Sequence, residues 1–470
     1  MSADRKPNIL FIMSDDHASH AMSCYGSRIN RTPNIDRIAH EGMRFDNCFC
    51  TNAICSPSRA SILTGKYSHL NGVKSIEDHF DGRQLTFPKL LQTVGYQTVI
   101  IGKWHLGHGG NADPTGFDYW AVVPGQGEYH NPEFYVMGEL QRFQGYATDL
   151  ITDFSLAWLR QRDKSRPFML MCHHKAPHRL SQPDEQHAHL YEDVEIPEPE
   201  AFYDDYATRA QAAVEARMRI DRDMNDDVDL KGRPPEGLTP LELKKWRYQR
   251  YIKDYLRCVA SIGDNVGRLL DYLDEEGIAE DTIVIYTSDQ GFFLGDHGWY
   301  DKRFMYEESL RMPFVVRYPR EIKAGSRMGA MALNIDFPCT FLDYAGVPIP
   351  DEMQGRSLRP LFNGKVPSDW RTSMYYRYWM HLDEHHNVYA HYGIRTHRYK
   401  LIYYYAQALG TSGSVEEARP PEWELFDLEK DPYELNNVYA DPAYADVVQE
   451  LKAELRRLQR EVRDEPVHEI

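Results

Sequence analysis

The chain has 470 residues, 42% hydrophobic and 27% charged, a composition ordinary for a globular protein that can bury one large core and a smaller one beside it. Lys and Arg number 54 against 71 Asp and Glu, a net charge of −17, so no general affinity for nucleic acid or for an anionic membrane is expected. Seven cysteines (Cys24, Cys48, Cys50, Cys55, Cys172, Cys258, Cys339) at irregular spacing do not read as a disulfide framework, and no apolar run reaches transmembrane length.

In chain order, Met1–Pro7 is polar and leads straight into a strand without a secretory signal pattern, so a cytoplasmic location is expected. The first strand is Asn8–Ser14, followed by Asp15-Asp16. Cys48, Cys50 and Cys55 cluster in a way that invites a soft-metal reading, but they lack the paired C-x-x-C units of zinc ribbons. Cys55-Ser56-Pro57-Ser58-Arg59 then runs on into Ala-Ser-Ile-Leu-Thr-Gly. A second strand, Gln97–Gly102, is followed by Lys103-Trp104-His105, and a third, Pro167–Cys172, by His173-His174. Residues 182–245 form a charged, Pro-punctuated insertion, open to two readings: a solvated helical excursion, or a lid or dimer contact that shapes a pocket. Tyr255, Val259, Ile262, Val266, Leu269 and Leu273 recur at helical spacing and predict a long helix that ends near Gly277. Strands Thr282–Thr287, followed by Asp289-Gln290, and Pro313–Tyr318 come next.

Apolar, β-branched runs that alternate with helical patterns predict an α/β fold with a large, mostly parallel sheet covered on both faces. Beyond about residue 370 the pattern changes. Ser373–Trp379, Tyr392–Tyr405 and Trp423–Leu428 predict antiparallel strands and Ala445–Arg460 a closing helix, hence a small α+β subdomain. The expected organisation is a catalytic domain over 1–370, carrying a helical insertion at 182–245, and a C-terminal subdomain over 371–470. In open α/β sheets ligands sit at the carboxyl ends of the strands, so the four polar clusters should converge on one site.

The residue types fit that site. Asp15, Asp16, Asp289 and Gln290 offer hard oxygen donors suited to Ca²⁺ or Mg²⁺ rather than zinc, although an Asp-Asp pair at a strand end also serves as a turn or helix cap. Lys103 and His105 face the same way in an extended segment, where one can hold an anionic oxygen and the other exchange protons. His173, His174 and His178 would also suit a transition metal. Because His173 and His174 point to opposite faces of a continuing strand, His174 is preferred for the site, His178 is the second choice and His173 is assigned a structural role. Lys302 is either a site cation or one half of a surface basic pair.

With these positions in place, the chain resembles the type I formylglycine-dependent sulfatases of the alkaline phosphatase superfamily. The resemblance runs through NILFIMSDD, CSPSRASILTG, GKWHLG, HKAPH, SDQGFFLGDHG and ELFDLEKDPYELNN, with DKRFMYEESLRMPF nearest to the N-acetylglucosamine-6-sulfatase-like branch. It implies an alkaline-phosphatase-like α/β sandwich and one Ca²⁺, with Mg²⁺ or Mn²⁺ as alternatives. Asp15, Asp16, Asp289 and Gln290 would hold the metal together with residue 55. Cys55 would be the residue oxidised to formylglycine by a formylglycine-generating enzyme, Arg59 would steady it, and Lys103, His105, His174 and Lys302 would complete the site. Relatives commonly have one residue between the strand-end His and Pro-His, whereas here Lys175-Ala176 intervene.

The implied reaction is hydrolysis of a sulfate ester, of a sugar or an aryl alcohol, by attack of the hydrated aldehyde at sulfur. Charge on the sulfuryl oxygens would be held by the metal, Lys103 and Lys302. His174 would protonate the leaving alcohol and His105 would accept the later proton. Two other functions are carried forward: a phosphonate monoester or phosphodiester hydrolase on the same scaffold, and a non-catalytic binder of sugar sulfates. A homo-oligomer is left open. The His-rich stretch Tyr376–Arg395 either lines the pocket and reads the alcohol or is an ordinary aromatic sheet; on the first reading His391→Ala weakens a sugar sulfate more than an aryl sulfate.

Overall fold

A computed structural model describes residues 6–469; residues 1–5 of the polar N-terminal stretch, and residue 470, lie outside the described residues. The elements that build the site are, in chain order, β1 (Asn8–Asp15), α1 (Pro33–His40), β2 (Met43–Phe45), α2 (Cys55–Thr64), β3 (Gln97–Lys103), β4 (Tyr119–Val123), β5 (Glu133–Val136), β6 (Glu139–Arg142), α3 (Ala147–Gln161), β7 (Phe168–Pro177), α4 (Pro240–Glu275), β8 (Thr282–Ser288), β9 (Phe314–Arg317), β10 (Ser326–Met328) and α5 (Asp336–Ala345). After them come β11 (Ser373–Tyr378), β12 (His391–Thr396), β13 (Tyr399–Tyr404), β14 (Glu422–Asp427) and α6 (Ala445–Val462).

One ten-stranded sheet runs in the order β10-β2-β9-β8-β1-β7-β3-β4-β5-β6. Its centre, β8-β1-β7-β3-β4, is parallel throughout, while β9 pairs antiparallel with both β8 and β2. Every residue of β1 is buried, as a strand covered on both faces requires. Ile9, Phe11 and Met13 pack on the side of α2 and α5, and Leu10 and Ile12 on the side of α1, α3 and α4. That alternation is the strand period of two.

α4 starts at a capping box, in which Thr239 Oγ1 accepts from Glu242 N and Glu242 Oε2 accepts from Thr239 N at 2.8 Å, with Pro240 at the first turn. Its stripe from Tyr255 to Leu273 is fully buried. Gly102, near the end of β3, is indispensable to the sheet: its φ is +103° and a Cβ there would stand 1.9 Å from the carbonyl oxygen of His173 on β7.

Within residues 182–245 the expected helical insertion is not what forms. The stretch is mostly turns, with only the short helix Gln211–Glu215 before α4 begins. Short polar side chains capture the backbone locally: Asn225 Oδ1 accepts from the N–H of Asp227 and Val228 at 3.0 and 2.8 Å, and Asp229 Oδ2 accepts from Asn225 N at 2.8 Å. Nor is the segment a solvated excursion. Ile196, Phe202, Ile220, Met224 and Leu230 pack against Tyr248, Ile252 and Tyr255 of α4 and against Phe292 and Tyr300.

β11–β14 form a separate antiparallel sheet in sequential order, and α6 adds Val448, Leu451, Leu455, Leu458 and Val462 to its core. The expected single run Tyr392–Tyr405 is a hairpin. Thr396 Oγ1 accepts from Tyr399 N at 2.8 Å and closes the turn between β12 and β13. All seven cysteines are free, and among the described residues no helix is long and apolar enough to cross a membrane.

Candidate active site

The carboxyl ends of β1, β3, β7 and β8 meet the N-terminus of α2. Cys55 is the first residue of that helix and is 2% exposed. Its position at the positive end of the helix dipole favours a developing negative charge there. His105 Nδ1 lies 3.1 Å from Cys55 Sγ, and Ser56 Oγ donates to the His105 carbonyl at 2.7 Å. Arg59, one turn along α2 on the same face, donates through Nε to Asp289 Oδ2 at 3.0 Å and through Nη1 to the Lys103 carbonyl at 2.7 Å. One guanidinium thus ties α2 to β8 and β3.

Around this anchor sit the buried carboxylates. Lys103 Nζ donates to Asp15 Oδ2 and to Gln126 Oε1. Lys302 Nζ reaches the Asp16 carboxylate at 2.7 Å, Gln290 Nε2 donates to Asp16 Oδ1 at 2.5 Å, and Asp289 Oδ1 accepts from Asp16 N at 3.2 Å. Asp15 Oδ1 and Gln290 Oε1 are buried and have no hydrogen-bond partner among the described residues. Asp16, His105, Asp301 and Arg303 all have positive φ (66°, 54°, 76° and 94°), backbone strain gathered where the side chains converge.

Electrostatics follow from crowding. Burial raises Asp15, but Lys103, then His178, Arg59 and Lys302, hold it well below the usual carboxylate range. Burial drives Asp16 well above that range against the pull of Lys302, and burial with the charge of Asp15 pushes Asp289 up to about 7. His105 is held neutral by burial and by Lys103. Three carboxylates thus meet three cations, Lys103, Lys302 and Arg59, yet two hard oxygen donors stay unpartnered among the described residues. Asp15, Asp16, Asp289 and Gln290 fit a divalent cation.

The histidine assignment needs correction. His174 is fully buried, its Nδ1 has no hydrogen-bond partner among the described residues, and burial alone depresses it to about 3. It faces the α4 side, with Nε2 at 3.8 Å from Cys172 Sγ. His178 is the one in the cluster: Nε2 lies 3.7 Å from Asp16 Oδ2, and single ligand atoms of Asp15, Asp16 and His178 lie within 4.8 Å of one another. The cause is an irregularity in pairing. Ser14 pairs with His174 but Asp15 with Pro177, so Lys175 and Ala176 are extra residues on β7 and carry the chain one step further into the site. His173 keeps a structural place, its Nδ1 at 3.3 Å from the Lys103 carbonyl and 3.5 Å from Arg59 Nη1.

The sulfatase family model matches residues 7–347, and the N-sulphoglucosamine sulphohydrolase C-terminal model matches residues 295–461. This chain belongs to the sulfatase family. It hydrolyses sulfate esters. It is 44% identical to an N-acetylglucosamine-6-O-sulfatase of Bacteroides thetaiotaomicron, over 98% of this chain and 87% of that one. A solved structure of a protein in complex with its substrate D-glucosamine-2-N,6-O-disulfate superposes with TM-score 0.91 at 44% identity, covering 98% of each chain. Phosphonate monoester hydrolase of Agrobacterium radiobacter, 22% identical with TM-score 0.76 over 97% of this chain and 96% of that one, shares the fold.

Several residues of this sulfatase's site were not picked out by the sequence patterns. Gln126 follows the short strand β4; the run Ala-Val-Val before Pro124-Gly125 is the signal that points to it. Beside Lys302, Asp301, Arg303 and His386 form a buried network, with His386 Nε2 at 3.3 Å from Asp301 Oδ2, His386 Nδ1 at 2.8 Å from Asp383 Oδ1 and Arg303 Nε at 3.3 Å from Asp301 Oδ1. His386 belongs to the His-rich stretch, but His391 does not reach the site. His391 is fully buried among the rings of Phe304, Tyr376, Tyr378 and Tyr404, with Nδ1 at 2.7 Å from the Tyr389 carbonyl. The expectation that His391→Ala tunes substrate choice is replaced by one of lost packing.

Proposed function

We propose that this sulfatase removes the 6-O-sulfate of an N-substituted glucosamine, with residue 55 acting as formylglycine after oxidation by a formylglycine-generating enzyme. The contact that carries the reading is His105 Nδ1 at 3.1 Å from Cys55 Sγ, at a helix N-terminus packed against carboxylates and two lysines. The sugar assignment rests on the 44% identity to an N-acetylglucosamine-6-O-sulfatase over nearly the whole chain.

Hydrated formylglycine supplies two hydroxyls on one carbon, one to attack sulfur and one whose deprotonation lets the carbon–oxygen bond break and sulfate leave. Asp15, Asp16, Asp289 and Gln290 would hold a divalent cation, Ca²⁺ in the first instance, which would supply Lewis-acid charge to the reaction. Lys103 and Lys302 hold the charge that develops on the sulfuryl oxygens, in a site where burial strengthens each interaction. Arg59 fixes the position of α2 through Asp289 and the Lys103 carbonyl. His105, kept neutral, accepts the proton from residue 55. His178, in place of His174, would serve the leaving alcohol; burial, and after it Lys103, hold its ring neutral in the empty site, so it would have to gain its proton once substrate is bound.

The test is the intact mass of the tryptic peptide containing residue 55, with turnover of N-acetylglucosamine 6-sulfate, an aryl sulfate and a phosphonate monoester before and after chelation. A peptide lighter by about 18 Da than the cysteine form, with chelator-sensitive preference for the sugar sulfate, is expected. An unmodified thiol in an active enzyme overturns the formylglycine reading. Preference for the phosphonate overturns the sugar sulfate.

A further inference from the structure

Beside the cluster, one buried cation stands without a partner. Lys175 is 3% exposed, and among the described residues its ammonium has neither a hydrogen bond nor an ion pair; Nζ rests 4.4 Å from the centroid of the Tyr129 ring. A cation–π contact is the weaker kind of compensation for a charge taken out of water. Burial, and after it the charge of Lys103, bring its proton affinity down to about 8, the condition of a cation lacking a counter-charge.

Lys175 borders a cavity of about 550 Å³, lined also by Gln126, His130, Arg142, Arg179 and Gln182. That volume is in the range of pockets that take a saccharide-sized ligand. Gln126 is the same amide that accepts from Lys103 Nζ, so the cavity begins where the catalytic cluster ends. Its arginines are already spoken for. Arg179 makes a forked pair with Asp229 at 2.5 and 2.8 Å, and Arg142 is bound by Glu128 and Glu133 at 3.2 and 3.0 Å. The walls hold Lys175 in place. Tyr129 OH donates to the His178 carbonyl at 2.5 Å. Gly127, at φ +73°, lies beside the lysine stem: a Cβ there would crowd Val123 Cγ2 at 2.8 Å and make ordinary contact with Lys175 Cδ at 3.5 Å. Lys175 is itself one of the two extra residues of β7, so the irregularity that brings His178 to Asp16 also delivers this ammonium to the cavity.

We propose that the cavity is an anion-reading subsite in which Lys175 receives a second negatively charged substituent, a sulfamate or a carboxylate, of the saccharide whose sulfate ester is cut. The proposal rests on the sugar-sulfate reading above and deepens it. A neutral substituent would leave the ammonium as it is, whereas an anion would replace the lost hydration with a direct, charge-assisted hydrogen bond.

The experiment compares wild type, Lys175→Met and Lys175→Arg on three substrates: 6-sulfated N-acetylglucosamine, 6-sulfated N-sulfoglucosamine, and a 6-sulfated N-acetylglucosamine disaccharide bearing a uronate. In Lys175→Met the ratio of kcat/KM for one anionic substrate over the neutral one falls at least tenfold, through KM, and Lys175→Arg restores part of it. Whichever anion shows the change identifies the group read. Unchanged ratios, or an equal loss on all three substrates, overturn the subsite. If wild type hydrolyses none of them, the sugar 6-sulfate reading fails. The subsite is then judged by calorimetric binding of N-sulfoglucosamine and of glucuronate. Tenfold weaker binding of either to Lys175→Met sustains it; equal or absent binding removes it.

Discussion

Buried charge is handled in opposite ways at the two ends of this molecule. Beneath the C-terminal sheet two buried carboxylates, Glu424 and Asp464, are closely satisfied. Glu424 accepts hydrogen bonds from Tyr306 OH, Tyr404 OH and Ala210 N, each at 2.8 Å. Arg377 holds Asp464 at 2.8 and 2.9 Å while Tyr375 OH donates to the same carboxylate at 2.7 Å. At the strand ends the accounts are left open: among the described residues Asp15 Oδ1 and Gln290 Oε1 lack hydrogen-bond partners and Lys175 has no counter-ion, while Asp16 and Asp289 are pushed out of the ordinary carboxylate range. Satisfied burial makes a rigid support, and unsatisfied burial makes a site that binds what it lacks.

Substitutions in the two regions should therefore separate activity from stability. The largest effect is expected at Cys55→Ala, which lowers kcat/KM for any sulfate ester by about 10⁴-fold or more while the melting temperature moves by only a few degrees. Steady-state kinetics with thermal denaturation checks it. Arg377→Ala, which strands the buried Asp464, should cost about 3–5 kcal/mol of stability in urea unfolding, with kcat per folded molecule unchanged. A parallel loss of kcat would erase the distinction between the regions.

His178→Ala should lower kcat by roughly 10²–10³-fold, whereas His174→Ala acts on stability alone, by about 1–3 kcal/mol. The reverse result would return the leaving-group role to His174. The smallest effect concerns pH. His297 is fully buried; burial lowers its proton affinity, but Asp204 at 2.8 Å and Glu308 at 3.8 Å outweigh that and raise it to about 9. A folded value above the unfolded 6.5 means this stabilisation is complete below pH 6.5 and is lost as pH rises through about 9. Between those limits wild type should lose of the order of 1–3 kcal/mol more than His297→Gln, measured by urea unfolding at both pH values.

Much of this was legible because strands buried on both faces read as plain apolar runs. Asn8–Ser14, Gln97–Gly102 and Thr282–Thr287 differ from β1, β3 and β8 by a single residue at the C-terminal end. The polar residues after them landed where the topology of a parallel sheet sends them. What escaped depends on relations between segments. Whether His174 or His178 enters the site is decided by the register of β7 against β1, and nothing within HHKAPH encodes the two residues that fall out of pairing. Gln126 hides after a five-residue strand whose sequence is too short to announce itself. The segment 182–245 carries helical composition, but its Asn and Asp side chains close turns instead. His391 shows the converse: a histidine beside functional neighbours in sequence, turned into the rings of its own sheet.

Every residue of α2, from Cys55 to Thr64, is buried, and Tyr376 OH, which accepts from Ala53 N and donates to the Arg303 carbonyl, fastens the loop ahead of the helix to the C-terminal sheet. In the finished fold residue 55 is therefore closed to any second protein that would act on its side chain. If residue 55 is converted as proposed, the conversion has to come before β11, more than 300 positions later in the chain, closes over the loop ahead of α2.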